Sequence, residues 1–510
     1  GQRQMRLGAG LMAGGVIVLL LAFQIAAAQR IELPNPGRHA EDSDRGWAEN
    51  HAARRALGAL GAVALLMLGA AALLVDPPAP EIVASVFERP PPRAGAPSAS
   101  LAPRPAEPAA GQAEPAAAAR RWPGFRGPGG IGVAAAPVHA PLFWNGATGE
   151  NIHWKARVPR RGFSSPVVWD DAVFVTGADR DAREVFCFDA HTGRLRWRVE
   201  VPTDATTIPE VAADTGYAAP TPATDGERVY AVFATGDVVA LDFSGREVWR
   251  RHLGVPENAY GHASSPIVRD DILFVQFDHA AETVLIAMDA ATGATRWEAE
   301  GDVISWASPA LVEVAGRALL VRLSSESVSA YDPATGRRLW REACMGGEVG
   351  ASPAFDEGII IVANEYAVGA ALRVRPDGAG VDRLWETHDR LPDVASPVAR
   401  GGRVYFTASD GAVTCLGAAD GAERWVHEFE RGFYASPVVA DGRVYALDRG
   451  GVMHIFADGD VYRELGRAPL GEPAVATPAF AHGRIYLRGY DHLFAIESGA
   501  APDRRDAQPE

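Results

Sequence analysis

Side chains able to do chemistry are plentiful in this 510-residue chain, yet they fall into no catalytic pattern. Thirteen histidines are scattered along it. The nearest approach to a cluster, His252, His262 and His279, lacks the short spacing by which histidines hold a metal ion, so these read as solvated or supporting histidines. Cys187, Cys344 and Cys415 are far apart and odd in number, which points to buried free thiols rather than a disulfide framework or a metal site. No Gly-rich phosphate loop leads into a helical pattern, and no nucleophile elbow occurs. The expectation is a chain without catalytic, cofactor-binding or metal-binding residues.

What remains is recognition chemistry. Phe163, Tyr217, Trp306 and Tyr434 each stand three residues before a recurring proline, with His262, Asp393 and Arg431 close to the same marker. If those prolines open equivalent strands, the aromatics gather at one mouth of a central tunnel. There they form a docking surface or a platform for a small ligand; inner-strand packing is the plainer alternative. The stretch 203–216, with Asp204, Glu210 and Asp214, is the longest between repeats and the natural place for a partner-specific contact.

The elements that must position these residues are written as a repeat. Seven tryptophans, Trp154, Trp197, Trp249, Trp297, Trp340, Trp385 and Trp425, recur at near-fixed spacing, each after a short Gly turn. The clearest copies are Phe-Asp-Ala-His-Thr-Gly-Arg-Leu-Arg-Trp (188–197) and Tyr-Asp-Pro-Ala-Thr-Gly-Arg-Arg-Leu-Trp (331–340). A strand ends at Asp, the Asp and Thr side chains bond the backbone of a tight turn, Gly takes the positive-φ position, and a new strand carries the Trp. In phase with this runs a small residue followed by Pro, at Pro166, Pro220, Pro266, Pro309, Pro353, Pro397, Pro437 and Pro478. Further strand signals lie between, so each unit reads as four short strands with proline at the start of the innermost.

Eight starts predict an all-β, eight-bladed β-propeller of four-stranded blades over about residues 122–500. The last unit has three strands and no Trp, whereas the Trp154 strand has no blade before it; pairing the two closes the ring. Unit seven keeps its turn at Asp458-Gly-Asp-Val-Tyr-Arg and loses the Trp. The blade tryptophans are expected to pack between neighbouring blades, each burying roughly 150–250 Å².

These residues carry a family resemblance. The Asp-x-x-Thr-Gly-x-x-x-Trp repeats, the Ala-Ser-Pro starts and the eight units resemble the pyrroloquinoline-quinone-type (PQQ-like) propeller repeat. That repeat is shared by quinoprotein dehydrogenases and by the propeller subunit of the outer-membrane β-barrel assembly machinery. The lead-in Arg121-Trp-Pro-Gly-Phe-Arg-Gly-Pro-Gly-Gly-Ile-Gly-Val is similar to that of many bacterial members, where it precedes the first blade. The resemblance specifies fold, not function. Its enzymes carry an adjacent Cys-Cys pair beside the quinone and a calcium ion held by Glu and Asn next to a general-base Asp. Here no two cysteines adjoin, and no catalytic residue transfers. PQQ with calcium is the alternative cofactor set, and none is the preferred expectation.

Two stretches at the front, 7–28 and 56–75, are apolar and each long enough to cross a bilayer. They predict a membrane protein, although Ala26-Ala-Ala-Gln also fits a signal-peptide cleavage site. Arg30, Arg38, Arg45, Arg54 and Arg55 lie between the two stretches, against Arg3, Arg6, Arg89 and Arg93 outside them, which places the intervening loop inside and the propeller outside. Cleavage at Ala28 followed by a stop-transfer segment would reverse this. Residues 76–121 contain 11 prolines among many alanines and read as an extended, disordered linker; 501–510 read as a disordered tail.

After residue 121 the chain holds 37 basic and 54 acidic side chains. So negative a domain is repelled by nucleic acid and by anionic headgroups. The expectation is a membrane-tethered, non-enzymatic scaffold of the bacterial envelope, facing the periplasm or exterior. Its partners would be envelope proteins, and an outer-membrane assembly complex is among the candidates. The alternatives are a PQQ-dependent oxidoreductase and a propeller sensing a small ligand at the rim aromatics.

Overall fold

The computed structural model describes residues 115–135, 138–280, 282–365 and 367–499. The hydrophobic stretches expected at 7–28 and 56–75, the linker up to residue 114 and the tail at 501–510 lie outside the described residues. Contacts with the propeller begin inside the span read as linker. Pro115–Ala118 forms a helical turn, Arg120 Nε meets Asp170 at 3.2 Å, and Arg121 is already in a strand.

The described chain forms eight antiparallel sheets, the blades of an eight-bladed propeller. Their innermost strands are Val167–Trp169, Ala223–Thr224, Ile267–Arg269, Ala310–Val314, Ala354–Asp356, Val398–Arg400, Val438–Ala440 and Ala479–Ala481. Blade 1 continues outward through Ala172–Ala178, Arg183–Asp189 and Leu195–Glu200, and gains a fifth strand, Arg121–Trp122, on its inner edge. Blade 8 takes its outer strand from the other end of the chain, because Ile152–Arg157 pairs with His492–Ile496, setting Lys155 opposite Phe494. Blade 8 packs against blade 1: the buried Arg488 guanidinium donates to Ser164 Oγ and to the Thr176 carbonyl, each at 2.6 Å.

The turn chemistry read from the repeats is present in atomic detail. Asp289 Oδ1 accepts the Thr292 N–H at 2.9 Å and the Thr292 hydroxyl at 2.8 Å, and Gly293 has φ 73°. The tight turn leaves a flat seat, and the Trp of the preceding blade occupies it. A Cβ on Gly293 would lie 2.7 Å from the Trp249 ring, and one on Gly336 would lie 2.5 Å from Trp297. Each indole N–H then donates to a carbonyl of the same turn, as Trp154 does to Ala190, Trp197 to Phe243, Trp249 to Ala290, Trp297 to Pro333, Trp385 to Ala418 and Trp425 to Gly459, all at 2.9 to 3.0 Å. Trp340 differs. The next blade carries Arg-Pro-Asp-Gly-Ala-Gly at 375–380 in place of the motif, and the buried Trp340 Nε1 has no partner.

A second circuit lies nearer the axis. The backbone N–H of Ser165 donates to Thr221 Oγ1, Thr221 to Ser265 Oγ, Ser265 to Ser308, Ser308 to Ser352, Ser352 to Ser396, Ser396 to Ser436 and Ser436 to Thr477 Oγ1, at 2.8 to 3.0 Å. Each of these residues is buried and precedes a proline. The residue before proline is held extended, proline brings no N–H needing a partner, and the hydroxyl receives the N–H of the blade before. This fixes the phase of the repeat and corrects one marker: in blade 2 the equivalent proline is Pro222, after Thr221, and not Pro220.

The circuit gives an expectation for two adjacent serines. Ser265→Ala leaves the buried Thr221 N–H without an acceptor and should cost about 1–3 kcal/mol. Ser264 Oγ is buried without a partner, so Ser264→Ala should be neutral or slightly stabilising. Urea midpoints of the two variants check this; equal losses would mean that the circuit does not carry stability.

Candidate functional site

At the mouth where second and third strands turn over, the structure builds two aromatic clusters. In the first, Phe163 meets Tyr490 edge-on at 5.7 Å between ring centres, and the Arg449 guanidinium lies 4.4 Å from the Tyr434 ring centre. Burial pushes the Tyr434 phenol up to about 12 against the opposing pull of Arg449, with Asp393 and Asp214 adding to the rise. Tyr490 is raised for the same first reason and feels Arg449 and Asp214 as well. In the second, Trp306 meets Tyr260 edge-on at 5.2 Å, its indole N–H donates to Asn258 Oδ1 at 2.6 Å, and the Tyr260 hydroxyl donates to Glu348 Oε2 at 2.6 Å.

The long stretch 203–216 joins the two. The Ala212 N–H donates to the Tyr260 carbonyl at 3.0 Å, Gly216 lies against the Phe163 ring, and Asp214 faces the two tyrosines of the first cluster. The mouth is therefore bridged, with aromatic groups on either side of an acidic loop.

Of the rim residues expected from sequence, Phe163, Tyr434 and Asp393 fall in one cluster and Trp306 in the other. Tyr217 does not join them. The two-residue slip in the blade 2 marker assigned it a position it does not hold; its ring packs on the core between blades 1 and 2, and its hydroxyl fastens the loop by donating to the Pro209 carbonyl at 2.8 Å. Nor does His262 face the mouth: it is buried against Phe277, ring centres 5.2 Å apart. Tyr490, Arg449, Tyr260 and Asn258 were missed, because they come from hairpins and connections outside the proline-opened strands.

The opposite mouth is filled by the lead-in. Arg121–Trp122 pairs with Val167–Trp169, the Thr224 N–H donates to the Pro123 carbonyl at 2.8 Å, and Val133 bridges to Val439 of blade 7. Between them Arg126 is wholly buried, donating to the carbonyls of Pro353 at 2.8 Å, of Ile131 at 3.2 Å and of Pro397. A cavity of about 320 Å³ remains beside it, lined by Pro123, Gly129, Ile267 and Leu311 with Arg269 and Glu313 among its walls.

A family model described as outer membrane protein assembly factor BamB matches residues 133–279, 210–389 and 377–463. The chain belongs to the BamB family. The BamB of Burkholderia pseudomallei (strain K96243) is 28% identical over 290 residues, which is 55% of this chain and 70% of that protein. Among solved structures, BamB from Moraxella catarrhalis superposes with a TM-score of 0.51 at 16% identity, covering 69% of this chain and 98% of that one. A quinohemoprotein alcohol dehydrogenase from Comamonas testosteroni gives 0.55 at 14% identity, covering 78% and 82%. At such identities the two structures share the fold with this BamB-family propeller and nothing finer.

Among the described residues no group of three or more His, Cys, Asp or Glu side chains could hold a metal ion, so His252, His262 and His279 form no ligand set. The cavity beside the lead-in presents one arginine to a quinone carrying three carboxylates, and its walls are otherwise mainly glycine, proline and apolar side chains. The three cysteines are buried and free, and burial pushes each thiol up to about 12. Among the described residues no helix is long and apolar enough to cross a membrane.

Burial pushes the His262 imidazole down to about 4 from 6.5. Between those values the unfolded chain takes up the proton first, so stability is full above 6.5 and falls as the pH drops towards 4. His262→Leu should flatten that loss by on the order of 3 kcal/mol. Urea midpoints near neutral pH and near pH 4 measure it; an unchanged slope would show that His262 is open to protons in the folded state.

Proposed function

We propose that this chain is a non-enzymatic propeller that scaffolds protein assembly at the bacterial envelope, docking a partner in outer-membrane protein assembly through the loop-bridged rim. Membership of the BamB family supports the process. The single observation that carries the docking face is the pair of aromatic clusters joined by 203–216, because aromatic and arginine anchors around an acidic loop have the composition of an interface centre. The 7–28 and 56–75 stretches are the proposed tether, the Pro/Ala-rich linker the proposed spacer, and the Ile152–Arg157 pairing the proposed clasp of a closed ring. The negative charge favours a protein partner over nucleic acid. The lack of any adjacent cysteine pair in the sequence favours the non-enzymatic reading.

Photo-crosslinkers placed at Trp306 and Tyr434 in the full chain, expressed in its own cells, should capture a component of the outer-membrane assembly machinery. The same probe at Phe143, exposed away from these clusters, should not. Trp306→Ala with Tyr434→Ala should weaken capture by roughly 30-fold, the loss of about 2 kcal/mol at a binding hot spot. Adducts from Phe143 alone would overturn the docking face. Saturable binding of PQQ with calcium, with turnover of a reducible dye, would overturn the non-enzymatic reading. Protease protection in spheroplasts tests the compartment, and a propeller resistant to external protease would place it in the cytoplasm.

A further inference from the structure

We propose that residues 121–134 are an axial latch, a peptide held in cis that seals one mouth of the propeller and can leave it without unfolding the blades. It binds as an added strand would. Arg121 and Trp122 complete the inner edge of blade 1, while Gly132 and Ala134 exchange backbone hydrogen bonds with Val439 of blade 7 at 2.9 Å. Edge addition of this kind takes its affinity from main-chain groups, which any suitably shaped extended segment provides.

Four features separate the latch from the blades. The propeller's own circuits do not use it: the Ser/Thr circuit and the Trp seats run from blade to blade, and the Ile152–Arg157 strand joins blade 8 without it. Its shape depends on glycine. Gly127, Gly129, Gly130 and Gly132 all have positive φ, and a Cβ on Gly127 would lie 2.8 Å from the Trp122 ring, so the segment has much backbone entropy to regain on release. Its central cation is held by neutral carbonyls alone among its described hydrogen bonds. Burial lowers Arg126 only to about 9, so it stays charged at neutral pH and bears a desolvation cost that no carboxylate offsets. One flank of it borders an open cleft of about 320 Å³ instead of packed side chains. Trp122, buried against Phe480, and Val133 hold the closed state, while the four features lower the cost of leaving it. When it leaves, the inner edges of blades 1 and 7 and the carbonyls of Pro353 and Pro397 become free to pair with another extended, glycine-rich chain carrying a basic residue.

The full chain contains its own control. The buried native thiols, raised to about 12, should stay silent to a maleimide while the blades hold, so a cysteine introduced by Val133→Cys reports the latch alone. Its labelling should be slow in that background and about tenfold or more faster when Arg126→Ala is added. Asp441→Gly provides a second route that leaves the tunnel untouched. It removes the carboxylate that accepts the Val138 and His139 N–H groups at 2.9 and 2.5 Å, and glycine suits the φ of 53° there; it should accelerate labelling in the same sense. If neither variant speeds labelling, or if Cys187 and Cys415 react in step with the introduced thiol, the segment is part of the propeller core and the proposal fails.

Discussion

The propeller depends on how its innermost strands satisfy their backbone. A strand facing an axis has no neighbour on that side, and an unpaired buried N–H costs as much as a lost hydrogen bond. Seven hydroxyl groups, from Thr221 to Thr477, answer this by accepting the N–H of the preceding blade, and the proline that follows each has no N–H to satisfy. The Ser-Pro or Thr-Pro pair is therefore one device. It aligns the eight inner strands at a common height, and every turn and loop at either mouth takes its position from that height.

The outer circuit does different work. Trp154, Trp249 and Trp297 fit the glycine seats of Asp-x-x-Thr-Gly turns, Trp197 and Trp385 fit Gly245 and Gly421 of variant turns, and each of these N–H groups meets a carbonyl of the same turn. Shape and polarity are matched in one contact, so the blades are held at a fixed separation while all three cysteines stay free. With the blades so fixed, function is left to the two mouths. One is bridged by an acidic loop between aromatic clusters, and the other is filled by the chain's own lead-in.

Much of this was legible in the residues because repetition averages out local ambiguity. The tryptophans, the turn motif and the eight proline starts gave the blade number, and the missing Trp in the last unit pointed to Ile152–Arg157 as its outer strand, which pairs there. Blade 2 misled because it offers two prolines, and only the bond from Ser165 to Thr221 shows which is in phase. That slip assigned Tyr217 to the rim. Tyr490 and Arg449 were invisible because they lie in hairpins whose sequence repeats nothing. Arg126 was missed for the opposite reason: a glycine- and proline-rich lead-in reads as a loop, and nothing in its composition announces that a charge will be buried against the inner strands. His262 showed the limit of proximity in sequence, since one residue's step from a rim position turned it into the core.

The inner circuit also has a direction. Every donor belongs to one blade and every acceptor to the next, so the bonds circulate in a single rotational sense. Dipoles laid head to tail around a circle cancel across its diameter and leave almost no moment along its axis, unlike the aligned peptides of a helix, whose moments add. The field that the framework does present inside the ring comes from backbone carbonyls, two of which, at Pro353 and Pro397, hold the Arg126 guanidinium. A group visiting the bore therefore meets acceptors that belong to the architecture itself, and point substitution can alter only the side chains around them.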